Sequence, residues 1–159
     1  MTEQWRIVVG ADEAGVALKD QLAEYLKQDP RVSAVEDLGV YSDSDKRPYS
    51  DVGLAAGAVI ADGQADRGLL ICGTGIGIAI AAGKVPGIRA TVAHDGYSVQ
   101  RSVLSNNCQV LTFGARVIAP ELAKYLVDGW LDLRFDESSP SAAKVAVITE
   151  YERARPATD

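Results

Sequence analysis

Cys72 ends an apolar run and is followed at once by Gly73, Thr74, Gly75, Ile76 and Gly77. A thiol, a hydroxyl and three alternating glycines in so short a stretch can do chemistry in two ways. The glycines let another group approach the backbone closely. If the loop opens a helix, the first amides have no internal acceptor and the dipole favours an anion. A cysteine facing such an end is favoured as a thiolate, and so as a base or a nucleophile. The competing reading is a tight turn that only packs helix on strand, with Cys72 a small core residue. Two familiar phosphate loops fail on spacing. The dinucleotide fingerprint G-x-G-x-x-G meets Ile78 when counted from Gly73 and Ile80 when counted from Gly75. A Walker A loop ending on Gly83-Lys84 would begin at Ile78 and finish on Val85. NAD and ATP are therefore disfavoured.

The elements around the loop alternate. Arg6–Gly10 reads as a strand, and Leu18, Leu22, Tyr25 and Leu26 then mark one face of a helix. Val32–Gly39 reads as a strand, Tyr41–Ser50 as a polar loop and alanine-rich Asp51–Ala61 as a helix. Arg67–Gly73 is apolar throughout, as in a strand covered on both faces. The glycine loop and a short helix to Lys84 follow. Gly87–His94, a helix from Tyr97 to Leu104, and Cys108–Gly114 repeat the pattern. Leu122, Tyr125, Leu126 and Trp130 form a further stripe, and Val145, Ile148 and Tyr151 another. The alternation predicts an α/β fold, a Rossmann-like three-layer sandwich with a parallel sheet and helices on both faces. Ligands bind outside the carboxyl ends of such strands. That edge would hold Gly10–Gly15, Cys72–Gly77, Ala93–Asp95 and Gly114–Arg116.

The chain has 159 residues, the size of one domain, 1–159, with 152–159 expected as a flexible tail. Sixteen basic against 22 acidic residues give a formal charge of −6, which argues against a nucleic-acid or membrane partner. No stretch is apolar enough to span a bilayer, and no signal core opens the chain. Cys72 and Cys108 are the only cysteines and His94 the only histidine, too few for a common zinc site. A cytoplasmic protein with reduced thiols is the expectation. Cys108 falls at a strand's start, away from the carboxyl edge, and reads as inert.

The stretches "VGADEAGVALKDQL", "ICGTGIGIAIAAGKVPGIRA" and "LSNNCQVLTFGARVI" together resemble the type B ribose-5-phosphate isomerases, whose relatives include galactose-6-phosphate isomerase subunits and tetrose-phosphate isomerases. The likeness runs from about Arg6 to Tyr151. It implies aldose–ketose isomerisation through a cis-enediolate, with no metal and no cofactor. It also implies a homodimer or homotetramer whose sites are shared between subunits. By position, Cys72 matches the base that moves the proton between C1 and C2, and Thr74 a hydroxyl near the reacting oxygens. The amides of Gly73, Gly75 and Gly77 match an anion hole for the enediolate. Asp12 opens the first substrate-binding segment, Tyr49 matches a pocket tyrosine, and Arg116 matches a phosphate ligand. Lys144, from a neighbouring subunit, stands where the family often has arginine, without its bidentate fork. A base near the carbon and donors aimed at the oxyanion are what this chemistry needs.

Three departures bear on the substrate. Glu13 replaces a histidine, and a carboxylate there would point away from a phosphate or contact a sugar hydroxyl. The C-terminal segment "SSPSAAK" keeps only Lys144 of its usual cations. Ser105 replaces the family's ring-opening histidine, while Asn106 is retained. Ribose 5-phosphate must open its furanose before the C2 proton is acidic. A tetrose phosphorylated on O4 cannot close a furanose and needs no such group. The main expectation, which the family resemblance as a whole implies, is ribose 5-phosphate to ribulose 5-phosphate isomerisation. The alternative is D-erythrulose 4-phosphate to D-erythrose 4-phosphate. A non-catalytic phosphosugar-binding module and a structural partner subunit are the readings outside enzymology. His94, at the ligand edge, either opens a ring from another direction or is a structural residue held by a neighbour such as Asp95.

Overall fold

The computed structural model describes residues 3–155. Five parallel strands lie in the order β2-β1-β3-β5-β4. They are β1 Trp5–Ala11, β2 Val32–Asp37, β3 Arg67–Cys72, β4 Ala90–Val92 and β5 Val110–Gly114. The helices are α1 Val16–Lys27, α2 Tyr49–Ala61, α3 Ile76–Ala82, α4 Gly96–Leu104, α5 Pro120–Asp132 and α6 Pro140–Ala154. Alternation along the strands splits the core in two. Ile7, Val9, Leu69, Ile71, Leu111 and Phe113 pack against α1, α4 and α5. Val8, Leu70, Cys72 and Val110 pack against α2 and α3 on the other face. β3 is buried at every position, as its unbroken apolar run predicts.

The direction in which successive strands are laid across the sheet reverses between β1 and β3. One connection leads from β1 out to β2, and the next returns past β1 to β3. The crevice between their carboxyl ends is where such a sheet takes a ligand. Asp12 follows β1 there, and Cys72 ends β3. The predicted carboxyl-edge segments all lie at this edge.

Several boundaries differ from those read in sequence. β4 is three residues long because it pairs with β5 only over Ala90–Val92 and, among the described residues, has no neighbour on its other side. α3 stops at Ala82, two residues short of Lys84. α5 buries Ala123, Leu126, Val127, Trp130 and Leu131, whereas Leu122 and Tyr125 are exposed. α6 buries only Val145, and Val147, Ile148 and Tyr151 are all exposed. It also runs to Ala154, three residues into the segment expected as tail; 156–159 lie outside the described residues. Among the described residues no helix is long and apolar enough to cross a membrane.

Candidate active site

The loop after β3 is built around its own cysteine. The Gly75 amide donates to Cys72 Sγ at 3.2 Å, which fixes the sulfur's direction. Gly75 holds φ at +78°, a left-handed conformation that a side chain disfavours. A Cβ added there would sit 2.8 Å from the Phe113 carbonyl carbon and 3.1 Å from the Gly114 nitrogen. The Thr112 hydroxyl donates to the Gly75 carbonyl at 2.6 Å. Gly114 leaves room for the Thr74 backbone, which a Cβ would strike at 2.7 Å. Neighbouring β5 thus grips the loop at two consecutive turns of its pleat. The Gly75 amide, expected to face an oxyanion, donates to the Cys72 sulfur in this structure.

Against the loop and the end of β3 stand groups from three other segments. Asp12 Oδ1 accepts from the Ala14 amide at 3.0 Å. Burial pushes the Asp12 carboxyl above its ordinary value, against the lowering influence of the Ala14 and Gly15 amides. The Arg116 guanidinium lies over Gly73, with Nη1 where a Cβ would come within 2.8 Å of it. The Tyr49 ring lies over Gly77 so closely that a Cβ on Gly77 would run into it. Glu13 faces Lys46, with Oε1 3.6 Å from Nζ. Lys46 belongs to the 38–48 connection and Tyr49 opens α2 at its end; the root of that connection is pinned by a buried cation. Lys19 Nζ donates to both oxygens of Asp37, at 2.9 and 2.7 Å, and Asp37 Oδ1 accepts from the Gly39 amide.

His94 joins this edge through an amide, not through Asp95. The Gly114 N–H donates to His94 Nε2 at 2.8 Å, while the Asp95 side chain caps α4 by accepting from the Ser98 amide. The expected Asp95 partnership is therefore corrected. An accepting Nε2 must be unprotonated. Burial lowers the His94 value below its ordinary 6.5, outweighing the nearby Asp95 charge. The folded value lies below the unfolded one. The stability linked to neutral His94 is thus present above pH 6.5 and is lost as pH falls through the folded value. Calorimetric Tm should drop between about pH 7 and 5 more steeply for the native chain than for His94→Gln. Parallel curves would remove the role.

Three expected site residues stand elsewhere. α4 leaves the carboxyl edge and runs back along the sheet for about 14 Å. Ser105 and Asn106 follow its end and so lie near the amino edge. Asn106 Nδ2 donates to the Arg101 carbonyl at 3.0 Å, and Ser105 Oγ accepts from Arg101 Nη1 at 3.3 Å. Lys144 is exposed on α6. That helix lies by the same amino edge, where Glu152 accepts from the Gly87 amide. Cys108 is nearby, with burial pushing its thiol up to about 11, so it stays protonated at neutral pH. Among the described residues, no group of His, Cys, Asp and Glu is placed to hold a metal ion.

Sequence reading missed Thr112 and Gly114, which look like ordinary strand residues until β5 is set beside the loop. It also missed Arg101. A basic residue four before Ser105 on one helix face was its only signal.

Comparison with known proteins agrees with this architecture. The family model described as Ribose/Galactose Isomerase matches residues 7–148. D-erythrulose-4-phosphate isomerase 2 of Mycolicibacterium smegmatis is 57% identical over 94% of this chain and 98% of that protein. Ribose-5-phosphate isomerase B of Escherichia coli is 40% identical over 94% of this chain and 98% of its own. Among solved structures, ribose-5-phosphate isomerase B of Clostridium thermocellum superposes with a TM-score of 0.87 at 39% identity, over 93% of this chain and 97% of that one.

Proposed function

The chain belongs to the ribose/galactose isomerase family, and from that premise we propose that it interconverts D-erythrulose 4-phosphate and D-erythrose 4-phosphate. The reaction class follows from the family: it is an aldose–ketose sugar-phosphate isomerase. The comparisons favour the tetrose alternative over the pentose expectation. Relatives named for erythrulose 4-phosphate are 57% and 47% identical, against 40% for ribose-5-phosphate isomerase B. One observation on this chain carries the choice. The position expected to hold a ring-opening histidine is Ser105, whose hydroxyl is bonded to Arg101. Serine has no proton to exchange near neutral pH, and an open-chain tetrose asks for none.

In the proposed mechanism the Cys72 sulfur takes the proton from the carbon beside the carbonyl. The electrons move onto the carbonyl oxygen, giving a cis-enediolate; the neighbouring hydroxyl gives up its proton to that oxygen and becomes the new carbonyl as the carbon proton returns to the former carbonyl carbon. The Gly75 amide aims the sulfur and complements negative charge on it. The Gly73 and Gly77 amides and the Thr74 hydroxyl meet the two enediolate oxygens. Asp12, with its raised carboxyl value, exchanges a proton with a sugar hydroxyl. Tyr49 walls the loop, Glu13 bonds a hydroxyl from beside Lys46, and His94 steadies the edge as a neutral imidazole. Arg116 binds the phosphate.

A second copy of the chain completes the site. Ser105, Asn106 and Lys144 lie at the edge opposite Cys72, so one protomer cannot bring them to its own sulfur. The surface between the edges suits a twin. β4 is unpaired on one side, α3 exposes Ile76 and Ile80, and α6 exposes Val147, Ile148 and Tyr151. Burying such apolar groups against a copy also explains a helix that scarcely packs on its own protomer.

The test is a direct comparison of substrates. kcat/KM for D-erythrulose 4-phosphate should exceed that for ribose 5-phosphate by about tenfold or more, a difference of about 1.4 kcal/mol. Ser105→His should improve ribose 5-phosphate more than the tetrose. Equal constants for both sugars, unmoved by Ser105→His, would return the reading to the pentose.

A further inference from the structure

A cavity of about 620 Å³ lies between α4 and the unpaired edge of β4. Arg89, Arg101, Ser98, Asn106 and Cys108 contribute to its wall, and among the described residues no aspartate or glutamate does. Two guanidinium groups without a carboxylate are notable in a chain of charge −6. Among the described residues neither arginine has a carboxylate oxygen within 4 Å.

The two cations differ in how they are bonded. Arg89 Nε donates to the Asn107 carbonyl at 2.8 Å, so its head is tied to the backbone. Arg101 is poorly satisfied. Its Nη1 and Nη2 reach Ser105 Oγ and Gln100 Oε1 at 3.3 Å each, and its buried Nε has no partner. A buried charged donor in that state costs free energy unless an acceptor arrives. A planar fork facing an acid-free cavity suits a phosphate monoester, which can take two parallel bonds.

We propose that Arg101 joins the neighbouring copy's Arg116 in binding the phosphate of the sugar at that copy's Cys72, and so sets the length of sugar accepted. This rests on the tetrose-phosphate reading. Arg101 and Ser105 are one helical turn apart on one face of α4. With serine at 105 the guanidinium reaches across the small side chain into the space that an imidazole would fill. A cation there meets the phosphate of a four-carbon substrate, and a longer sugar finds that depth already taken. The missing histidine and the added arginine thus become one change, which removes a ring-opening group and shortens the pocket. Arg89, tied down, contributes field but no fork.

Arg101→Gln and Arg101→Lys in the full chain test this. For Arg101→Gln, KM for D-erythrulose 4-phosphate should rise about tenfold or more, with kcat within about threefold. The inhibition constant of inorganic phosphate should rise in step. Arg101→Lys should recover part of both, since it keeps the charge and loses the fork. Titrating the native protein with inorganic phosphate needs no variant, and it should shift amide resonances across 98–106. Shifts confined to 73–77 and 116, or an Arg101→Gln enzyme with native KM and native phosphate inhibition, would overturn the assignment. The two readings fail separately. A native chain inactive on the tetrose, whose phosphate binding still depends on Arg101, loses the substrate and keeps the site. A chain active on the tetrose but indifferent to Arg101→Gln keeps the substrate and loses the site.

Discussion

Replacing Cys72 by serine lowers kcat on the tetrose phosphate about a thousandfold, leaves KM within about threefold, and abolishes solvent-deuterium incorporation into product. The size follows from the task. Proton abstraction beside a carbonyl needs a base close to the carbon, and a thiol gives up its proton to become one far more readily than an alcohol does. Serine fits the same space, and its hydroxyl can accept from the Gly75 amide as sulfur does at 3.2 Å. It is not ionised at working pH, however, so the geometry survives without the base. The fold should survive too, because Cys72 is buried and the exchange alters one atom. Steady-state kinetics with calorimetry separates the two effects. A serine variant with near-native kcat would move the base to another group, with Asp12 first in line.

Gly75→Ala has the largest expected effect on stability. The residue sits at φ +78°, and left-handed backbone costs an L-residue about 1–2 kcal/mol. The methyl would also press on the Phe113 carbonyl carbon at 2.8 Å, which is backbone of a central strand and cannot step aside. Overpacking of this kind adds about 1–3 kcal/mol. A total near 3 kcal/mol or more is a large share of a single domain's margin. Denaturant unfolding should show that loss. Whatever protein remains folded should have low activity, because a shifted Gly75 amide no longer aims the sulfur. Gly77→Ala makes an informative contrast: its methyl would meet the Tyr49 side chain, which can swing aside more cheaply than backbone.

Much of this was legible in the chain. β3 announces itself by an apolar run that only a twice-covered strand tolerates, and the glycines after it mark a turn at the ligand edge. Alternation along the chain gave the layers and hence the crevice beside Asp12. The illegible parts depend on what lies across space. His94 finds its partner in Gly114, 20 residues away, because β4 and β5 are in register, and no local pattern specifies register. The apolar stripe on α6 is real, yet a stripe says that a face wants cover without saying whose. α5 buries Ala123 and Val127 in place of Leu122 and Tyr125 for a related reason: the helix's rotation about its axis is set by the sheet beneath it. Ser105 spoke only through resemblance, and Arg101 reads as a solvated charge until the cavity beside it is seen to lack acids.

The separation of Cys72 and Ser105 to opposite ends of one sheet has a genetic meaning. In the shared site proposed above, each chain would lend its far edge to its neighbour. A lesion at Arg101 would then damage the partner's turnover and leave its bearer's own sulfur fully served. Two broken alleles, one at the glycine loop and one at the end of α4, would restore a working centre where their products meet. Inheritance at this locus would be read from the pair, and sugar choice could drift at the periphery without disturbing the acid–base core.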